Sequence, residues 1–346
     1  MDASPLRRAL TALANRQSLS ESQTAEVFGI VMSGEASPSQ IGGLLMGLRA
    51  KGETADELAG AARALRDAMV PVSASQAHLV DTCGTGGGTV PTFNISTVAA
   101  FVAAGAGAVV PKHGNRSYTS RCGSADVLEA LGVRIVLDAA SASRVLTDAR
   151  IVFLFAPSFH PAMKHVGPVR RELGTPTLMN LVGPLANPTG VKRQVIGVAE
   201  SDRAAIVAEA LVRLGAEHAL VVNGRVGMDE ISPLGITDVW EVQDGAVRKW
   251  EIDPARFRLG IEDVGELQGG EPAANADRLE RILGNGGGAA DPAGLAAVLL
   301  NAGAAIYVAG IAGSLAEGIG RAREVVASGA ARAALDRLRK ATASIS

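Results

Sequence analysis

The chain is most constrained by a glycine-rich stretch, Asp81-Thr82-Cys83-Gly84-Thr85-Gly86-Gly87-Gly88. It opens after Leu79-Val80 and closes on Thr92-Phe93-Asn94-Ile95-Ser96-Thr97. Beyond it, Ser96–Ala106 has the pattern of a helix and Ala108–Pro111 that of a strand, which together make a βαβ unit with an expected right-handed crossover. The alternation goes on. A helix is predicted from Ser124 to Gly132, another around Ser141–Asp148, and a third over Asp202–Leu214. Strands are predicted at Val133–Leu137, Ile151–Phe155, Gln194–Val198 and Ala219–Val222. Such alternation specifies an α/β fold with a mostly parallel central sheet.

The first 70 or so residues differ from this pattern, with no strand before Leu79. Ser37-Pro38-Ser39-Gln40 is a capping box with proline at the first helical position. Thr54-Ala55-Asp56-Glu57 is a second box, followed by Leu58, Ala61, Ala62, Leu65 and Met69 at helical spacing. A small helical domain over 1–72 is expected, ending where Pro and Ser cluster near Pro71–Gln76, with an α/β domain over 73–346. The tail Pro292–Ile345 is predicted helical. Its segment Pro292–Ala316 carries no charge, but Asn301, Gly303, Gly310 and Gly313 interrupt it, so a buried helix and a turn fit better than a membrane span. Gly284–Gly288 reads as a surface loop, and charged Met1–Asn15 lacks the apolar core of a secretory signal.

Composition limits the function classes. A chain of 346 residues that is 47% hydrophobic can bury a sizeable core. A net charge of −2 leaves no basic footprint for nucleic acid or anionic membrane, and 3% aromatics provide no stacking platform. Cys83 and Cys122 have neither metal-ligand spacing nor disulfide-scaffold density, as expected of buried thiols in the reducing cytoplasm.

Four stretches carry candidate chemistry. In the glycine-rich loop the backbone can approach a phosphate and aim N–H groups at it, and the following helix N-terminus adds a favourable partial charge. Ser96 and Thr97 can cap that helix, bind phosphate or ligate Mg²⁺; the loop is neither a Walker A motif nor a dinucleotide fingerprint. The second stretch, Lys112-His113-Gly114-Asn115-Arg116-Ser117-Tyr118-Thr119-Ser120 with Gly123-Ser124-Ala125-Asp126, follows the next strand. Both loops should therefore lie at the carboxyl edge of the sheet and serve a ligand with two separated phosphates. The third, Gly227-Met228-Asp229-Glu230-Ile231-Ser232, offers adjacent carboxylates: a solvated loop by default, a Mg²⁺ site beside a diphosphate. The fourth runs from His160-Pro161-Ala162-Met163-Lys164-His165 to Arg170. There His160 can cap a helix opening at Pro161, and Arg170 is either a surface arginine or a two-pronged partner for a carboxylate.

Together these stretches resemble the anthranilate phosphoribosyltransferase family of tryptophan biosynthesis. The resemblance is ordered and spans nearly the whole chain, including Asn180-Leu181-Val182-Gly183-Pro184-Leu185-Ala186-Asn187-Pro188 and the later Gly269-Gly270-Glu271 to Asn275 segment. It implies a small helical domain, rejoined by about 170–190, and a large nucleoside phosphorylase/phosphoribosyltransferase-like α/β domain, with the substrates in the cleft between them. It implies that phosphoribosyl diphosphate contacts Gly84, Gly87, Gly88, Thr92, Asn94, Ile95, Ser96, Thr97, Lys112, His113, Gly114, Asn115, Arg116, Ser117, Tyr118, Thr119, Ser120 and Ser124. Anthranilate would contact Gly84, Asn115 and Arg170; Ser96, Asp229 and Glu230 would bind Mg²⁺, two ions per subunit. A cytoplasmic homodimer acting on small molecules, without nucleic-acid or membrane partners, follows from the same resemblance.

Two departures stand out. The family's loop often ends in aspartate where Gly88 stands, and its Asp-Gly-Leu-Asp-Glu reads Val226-Gly227-Met228-Asp229-Glu230, keeping both metal carboxylates and losing an earlier one. Two other readings remain open on sequence alone. One is a pyrimidine nucleoside phosphorylase of similar fold; the other is a related nucleic-acid-binding protein without catalysis, which the charge and the intact Asp229-Glu230 pair disfavour.

Overall fold

A computed structural model describes residues 4–74, 77–117, 121–284 and 289–345. Helices α1 (Pro5–Ala14), α2 (Glu21–Ser33), α3 (Pro38–Lys51) and α4 (Ala55–Asp67) form a bundle. Both predicted capping boxes are present: Ser37 and Gln40 close one reciprocally and Thr54 and Glu57 the other, and Ser20 with Gln23 makes a third at the start of α2. The buried carboxylate of Glu57 also accepts from the Leu19 N–H and from Lys51, which fixes the entry to α2 against α4.

The α/β part begins with β1 (Asp81–Gly84), α5 (Ile95–Gly105), β2 (Val110–Gly114), α6 (Ser124–Ala130), α7 (Ala139–Ala149) and β3 (Ile151–Phe155). Short α8 (Ala156–Phe159), α9 (Met163–Leu173) and α10 (Leu178–Val182) follow, then β4 (Arg193–Gly197), α11 (Ser201–Arg213), β5 (His218–Gly224), β6 (Thr237–Gln243) and β7 (Ala246–Ile252). Helices α12 (Pro272–Leu283), α13 (Pro292–Val308), α14 (Leu315–Ala327) and α15 (Ala330–Ala343) complete the chain. Among the described residues the strands form a five-stranded sheet of order β1-β4-β5-β6-β7 and a two-stranded β2-β3 sheet. The pairs β1-β4, β4-β5 and β2-β3 are parallel; β5-β6 and β6-β7 are antiparallel. A parallel bridge between Leu79 and Val109 aligns the two sheets, so the loops after β1 and β2 leave by the same carboxyl edge.

Two apolar cores lie on either side of the main sheet. One joins α5, α13, α14 and α15 to β2, β3 and inward residues such as Leu220 and Val222. The other joins α1–α4 to Val166 and Val169 of α9, Leu178–Val182, and the opposite face residues Ile196, Ala219 and Val221. The chain thus returns to the helical bundle after β3, and α9 packs on α2 and α3.

Three expectations need correction. Val133–Leu137 alternates as expected, with Val133, Ile135 and Leu137 buried and Arg134 and Val136 exposed, but among the described residues it forms no strand. Its alternation is satisfied by packing alone, and the Arg134 N–H goes to the Thr342 hydroxyl. The β6-β7 hairpin lies outside the predicted strands. His160 ends α8 rather than capping a helix at Pro161, and α9 starts at Met163. The uncharged segment behaves as predicted: α13 is buried along its length, a turn follows, and among the described residues no helix is long and apolar enough to cross a membrane. Most of the Gly284–Gly288 run lies outside the described residues.

Candidate active site

The glycine-rich loop and the carboxylate loop are laced together. The Gly86 N–H donates to Asp229 Oδ2 at 2.9 Å, and the Thr89 N–H to the Gly227 carbonyl at 2.8 Å. The approach is close: a Cβ on Gly84 would lie 2.7 Å from Asp229 Oδ2, so the carboxylate would have to shift to admit it. At Gly88 it would lie 3.0 Å from both Asp229 Oδ1 and the Gly227 carbonyl, so the position that often carries Asp in the resembling family here faces a carboxylate already present.

Glu230 reaches the other end of the loop, accepting the Ser96 N–H at 3.2 Å in the first turn of α5. Neither Ser96 nor Thr97 caps that helix; its N-cap is Asn94, whose side chain is engaged elsewhere. Ser96 Oγ accepts instead from Lys112 Nζ at 3.2 Å, and Lys112 also donates to the Thr82 carbonyl at 2.6 Å. The first loop, the second loop and the carboxylate pair therefore converge on the N-terminus of α5.

Burial dominates the electrostatics. It pushes Glu230 up to about 8, helped by the Asp229 charge and opposed by Lys112, and it raises Asp229 as well. Burial lowers Lys112, which Asp81 opposes. Asp81 is itself raised by burial and held by the His113 N–H at 3.2 Å and by Asn187 Nδ2 at 2.8 Å. Asn187 donates in addition to the Pro111 carbonyl at 2.8 Å. Where β1 and β2 diverge beyond the Leu79–Val109 bridge, these side chains replace ladder hydrogen bonds and hold the two strand ends together.

On the other side of β2, His113 Nε2 lies 3.2 Å from His160 Nε2. Burial holds both rings neutral, lowering His113 to about 3 and His160 to about 4. This contact ties the second loop to the segment that leads into α9. Arg170 stands on α9 and donates to Asn180 Oδ1 at 3.2 Å, and the same oxygen takes the Thr177 N–H at 3.0 Å. Arg116 is turned toward α6, where it pairs with Asp126 at 2.7 Å and Glu129 at 2.6 Å. Asp126 also accepts the Gly123 N–H at 2.8 Å, bracing the far end of this loop. Ser124 donates to the Asn115 carbonyl at 3.3 Å. Tyr118, Thr119 and Ser120 lie outside the described residues.

Sequence reading gathered the residues of this cluster but missed its supports. Asp81 opens the glycine-rich stretch and Asn187 lies in the Asn180–Pro188 run, and a buried Asp or Asn beside a strand end needs a partner. The His113–His160 contact joins residues 47 apart in sequence, which no local pattern reveals.

Residues 7–69 match the helical bundle domain of a glycosyl transferase family, and residues 76–332 match its a/b domain. Over 335 residues the chain is 47% identical to the anthranilate phosphoribosyltransferase of Roseiflexus sp. (strain RS-1), covering 96% of this chain and 97% of that one. The crystal structure of anthranilate phosphoribosyltransferase from Thermus thermophilus superposes with a TM-score of 0.91 at 42% identity, covering 97% of this chain and 99% of that one. The Saccharomyces cerevisiae enzyme in complex with PRPP and Mg superposes with a TM-score of 0.90 at 27% identity, covering 99% of each chain. Two matched domains and full-length identity with these relatives agree with the site geometry: the chain belongs to the anthranilate phosphoribosyltransferase family.

Proposed function

We propose that this chain transfers the phosphoribosyl group of 5-phosphoribosyl 1-diphosphate to anthranilate, giving N-(5-phosphoribosyl)anthranilate and diphosphate, in tryptophan biosynthesis. The observation that carries this reading is the lacing of Asp229 to the Gly86 N–H and of Glu230 to the Ser96 N–H. It sets two half-buried carboxylates beside a loop suited to phosphate.

The residues fit Mg²⁺. Two adjacent, half-buried carboxylates, both raised by desolvation, resist carrying charge together, and a bound cation would relieve both. Among the described residues no group of three or more His, Cys, Asp or Glu gathers, so the remaining ligands would be the Ser96 hydroxyl, water and substrate oxygens. Mg²⁺ is typically held in that way beside phosphates. Asp229 and Glu230 lean on different elements, which suits two ions per subunit. When bound, Mg²⁺ supplies neutralisation of charge on the diphosphate.

The remaining work falls to the chain. Gly84, Gly87 and Gly88, with Thr92, Asn94, Ile95, Ser96 and Thr97 at the start of α5, hold the donor at one end. Lys112 and the loop from His113 to Ser124 hold it at the other, with Arg116 bracing that loop through α6. As the C1–O bond breaks, charge gathers on the diphosphate and the sugar becomes oxocarbenium-like; Lys112 and the loop N–H groups stabilise the leaving group. Arg170, oriented by Asn180, pairs with the anthranilate carboxylate, and Gly84 and Asn115 orient its ring for attack from the opposite face. An arylamine is neutral at pH 7, so no strong base is required.

We read residues 1–72, rejoined by about 170–190, as the helical domain, and 73–346 as the donor-binding domain. We also read the protein as a cytoplasmic homodimer assembled through the helical domain. The direct test of the reaction is mass-spectrometric detection of N-(5-phosphoribosyl)anthranilate and stoichiometric diphosphate. Formation of both supports the reading. Absence of both, together with phosphorolysis of thymidine or uridine, replaces it with the nucleoside phosphorylase reading.

A further inference from the structure

The Gly269–Asn275 motif has no part in the mechanism above, yet its side chains reach the donor site. Asn275, 3% exposed at the start of α12, accepts the Gly270 N–H on Oδ1 at 2.8 Å and donates from Nδ2 to Asn94 Oδ1 at 2.9 Å. Asn94 in turn donates from Nδ2 to the Cys122 carbonyl at 3.1 Å. The two outer partners are backbone groups of fixed polarity, a donor at Gly270 and an acceptor at Cys122, so the relay runs in one direction and both amide orientations are determined.

This relay explains why Asn94, the N-cap residue of α5, makes no side-chain cap. Its amide is used to join three segments: the motif, the N-terminus of α5, and the end of the second loop just before Gly123. The backbones meet nearby as well. The Phe93 N–H donates to the Leu267 carbonyl at 3.0 Å, and a Cβ on Gly269 would lie 2.5 Å from the Thr92 carbonyl. Arg278 covers the Phe93 ring at 4.2 Å while donating to the Gln268 carbonyl at 3.1 Å.

We infer that Asn275 is a positioning residue for the phosphoribosyl diphosphate site, acting through Asn94 to hold the α5 N-terminus and the second loop at the spacing the donor's two phosphate ends require. The inference rests on the functional reading above. A residue that only stabilised the fold would change both substrates alike; one that sets the spacing of two anion sites changes the donor selectively.

The test is a double-mutant cycle on the full-length protein with Mg²⁺, using Asn275→Ala, Asn94→Ala and the double variant, with the isosteric Asn275→Asp as a second probe. Asn275→Asp keeps the acceptor for Gly270 and loses the donor to Asn94, so it acts on the relay even where the alanine variant folds poorly. Donor affinity is read by calorimetry, and KM for anthranilate by kinetics. Asn275→Ala and Asn275→Asp are expected to weaken donor binding about tenfold with anthranilate KM changed less than twofold, and Asn275→Ala to add less than twofold in the Asn94→Ala background. Equal changes for both substrates, unchanged donor binding, or full additivity would each overturn the inference. Wild-type protein that binds no donor would overturn the functional reading with it, whereas active wild type with an additive cycle sinks the inference alone.

Discussion

Glu230 and Asp229 show how one loop sequence acquires chemistry from its neighbours. Alone they are adjacent acids; in the fold they are half-buried, where desolvation makes them reluctant to ionise and the Gly86 and Ser96 N–H groups only partly offset it. Glu230→Gln is expected to lower kcat/KM at least 100-fold, about 3 kcal/mol of transition-state stabilisation, as steady-state kinetics in Mg²⁺ would show. The same residue has a signature without metal. Its folded pKa, about 8, lies above the usual 4.5, so its contribution is fully present below pH 4.5 and is lost as pH rises through 8. In chelator, the Tm of Glu230→Gln should therefore gain on wild type between pH 5 and 9; a difference that stays flat or reverses would contradict a folded carboxylate raised to about 8. At this scale the sequence was informative about reactive groups and silent about their supports. Asp229, Lys112 and Ser96 sit in recognisable runs, whereas the Asp81–Asn187 and His113–His160 contacts arise only when distant segments meet.

Helices α13 and α14 cross at glycines. A Cβ on Gly318 would collide with the Gly303 carbonyl, and one on Gly303 would stand 2.8 Å from the Ile319 nitrogen. Gly318→Ala is expected to destabilise the fold by about 2 kcal/mol or more, read from urea unfolding, because the helices must move apart. Gly303, one of the glycines that argue against a membrane span, thus lets a charge-free helix pack closely inside a protein. Elsewhere element prediction failed in two instructive ways. Val133–Leu137 has strand periodicity but no neighbouring strand, and a ladder needs two. The β6-β7 hairpin carried its signal openly: Asp244-Gly245 forms the two-residue turn, both at positive φ, between Gln243 and Ala246. It is masked by polar residues, notably Glu241, which looks out of place in a strand. That carboxylate is 2% exposed and receives His218 at 3.0 Å, Tyr307 at 2.7 Å, Arg248 at 2.7 Å and Trp250 at 3.0 Å. It pins β6 to β5, β7 and α13, so Glu241→Ala should cost about 3 kcal/mol in the same unfolding assay.

Across the whole molecule, charge burial shapes the response to acid. His113 and His160 have folded pKa values of about 3 and 4, below the usual 6.5, so the unfolded chain binds more protons as pH falls below 6.5. Burial alone would raise Glu241, but its donors bring it down to about 2, so its stabilisation is present above 4.5 and lost toward pH 2. Relative to His160→Gln, wild-type Tm should fall progressively between pH 6.5 and 4; a difference that stays constant over this range would rule out a neutral buried pair. The α/β alternation and the helical start were legible because each is a local pattern. The two-sided packing of the main sheet depends on α9 and α10 returning to the bundle, which no local pattern shows and which only the family resemblance implied, for about 170–190. On the reading proposed above, that return sets Arg170 and the loops after β1 and β2 to work in a single reaction. Loss of anthranilate fluorescence with phosphoribosyl diphosphate and Mg²⁺, comparing wild type with Asp229→Asn, examines that union. Rapid, Mg²⁺-dependent loss in wild type and at least 100-fold slower loss in the variant are predicted; unchanged fluorescence with wild type, or a variant as fast as wild type, would contradict it.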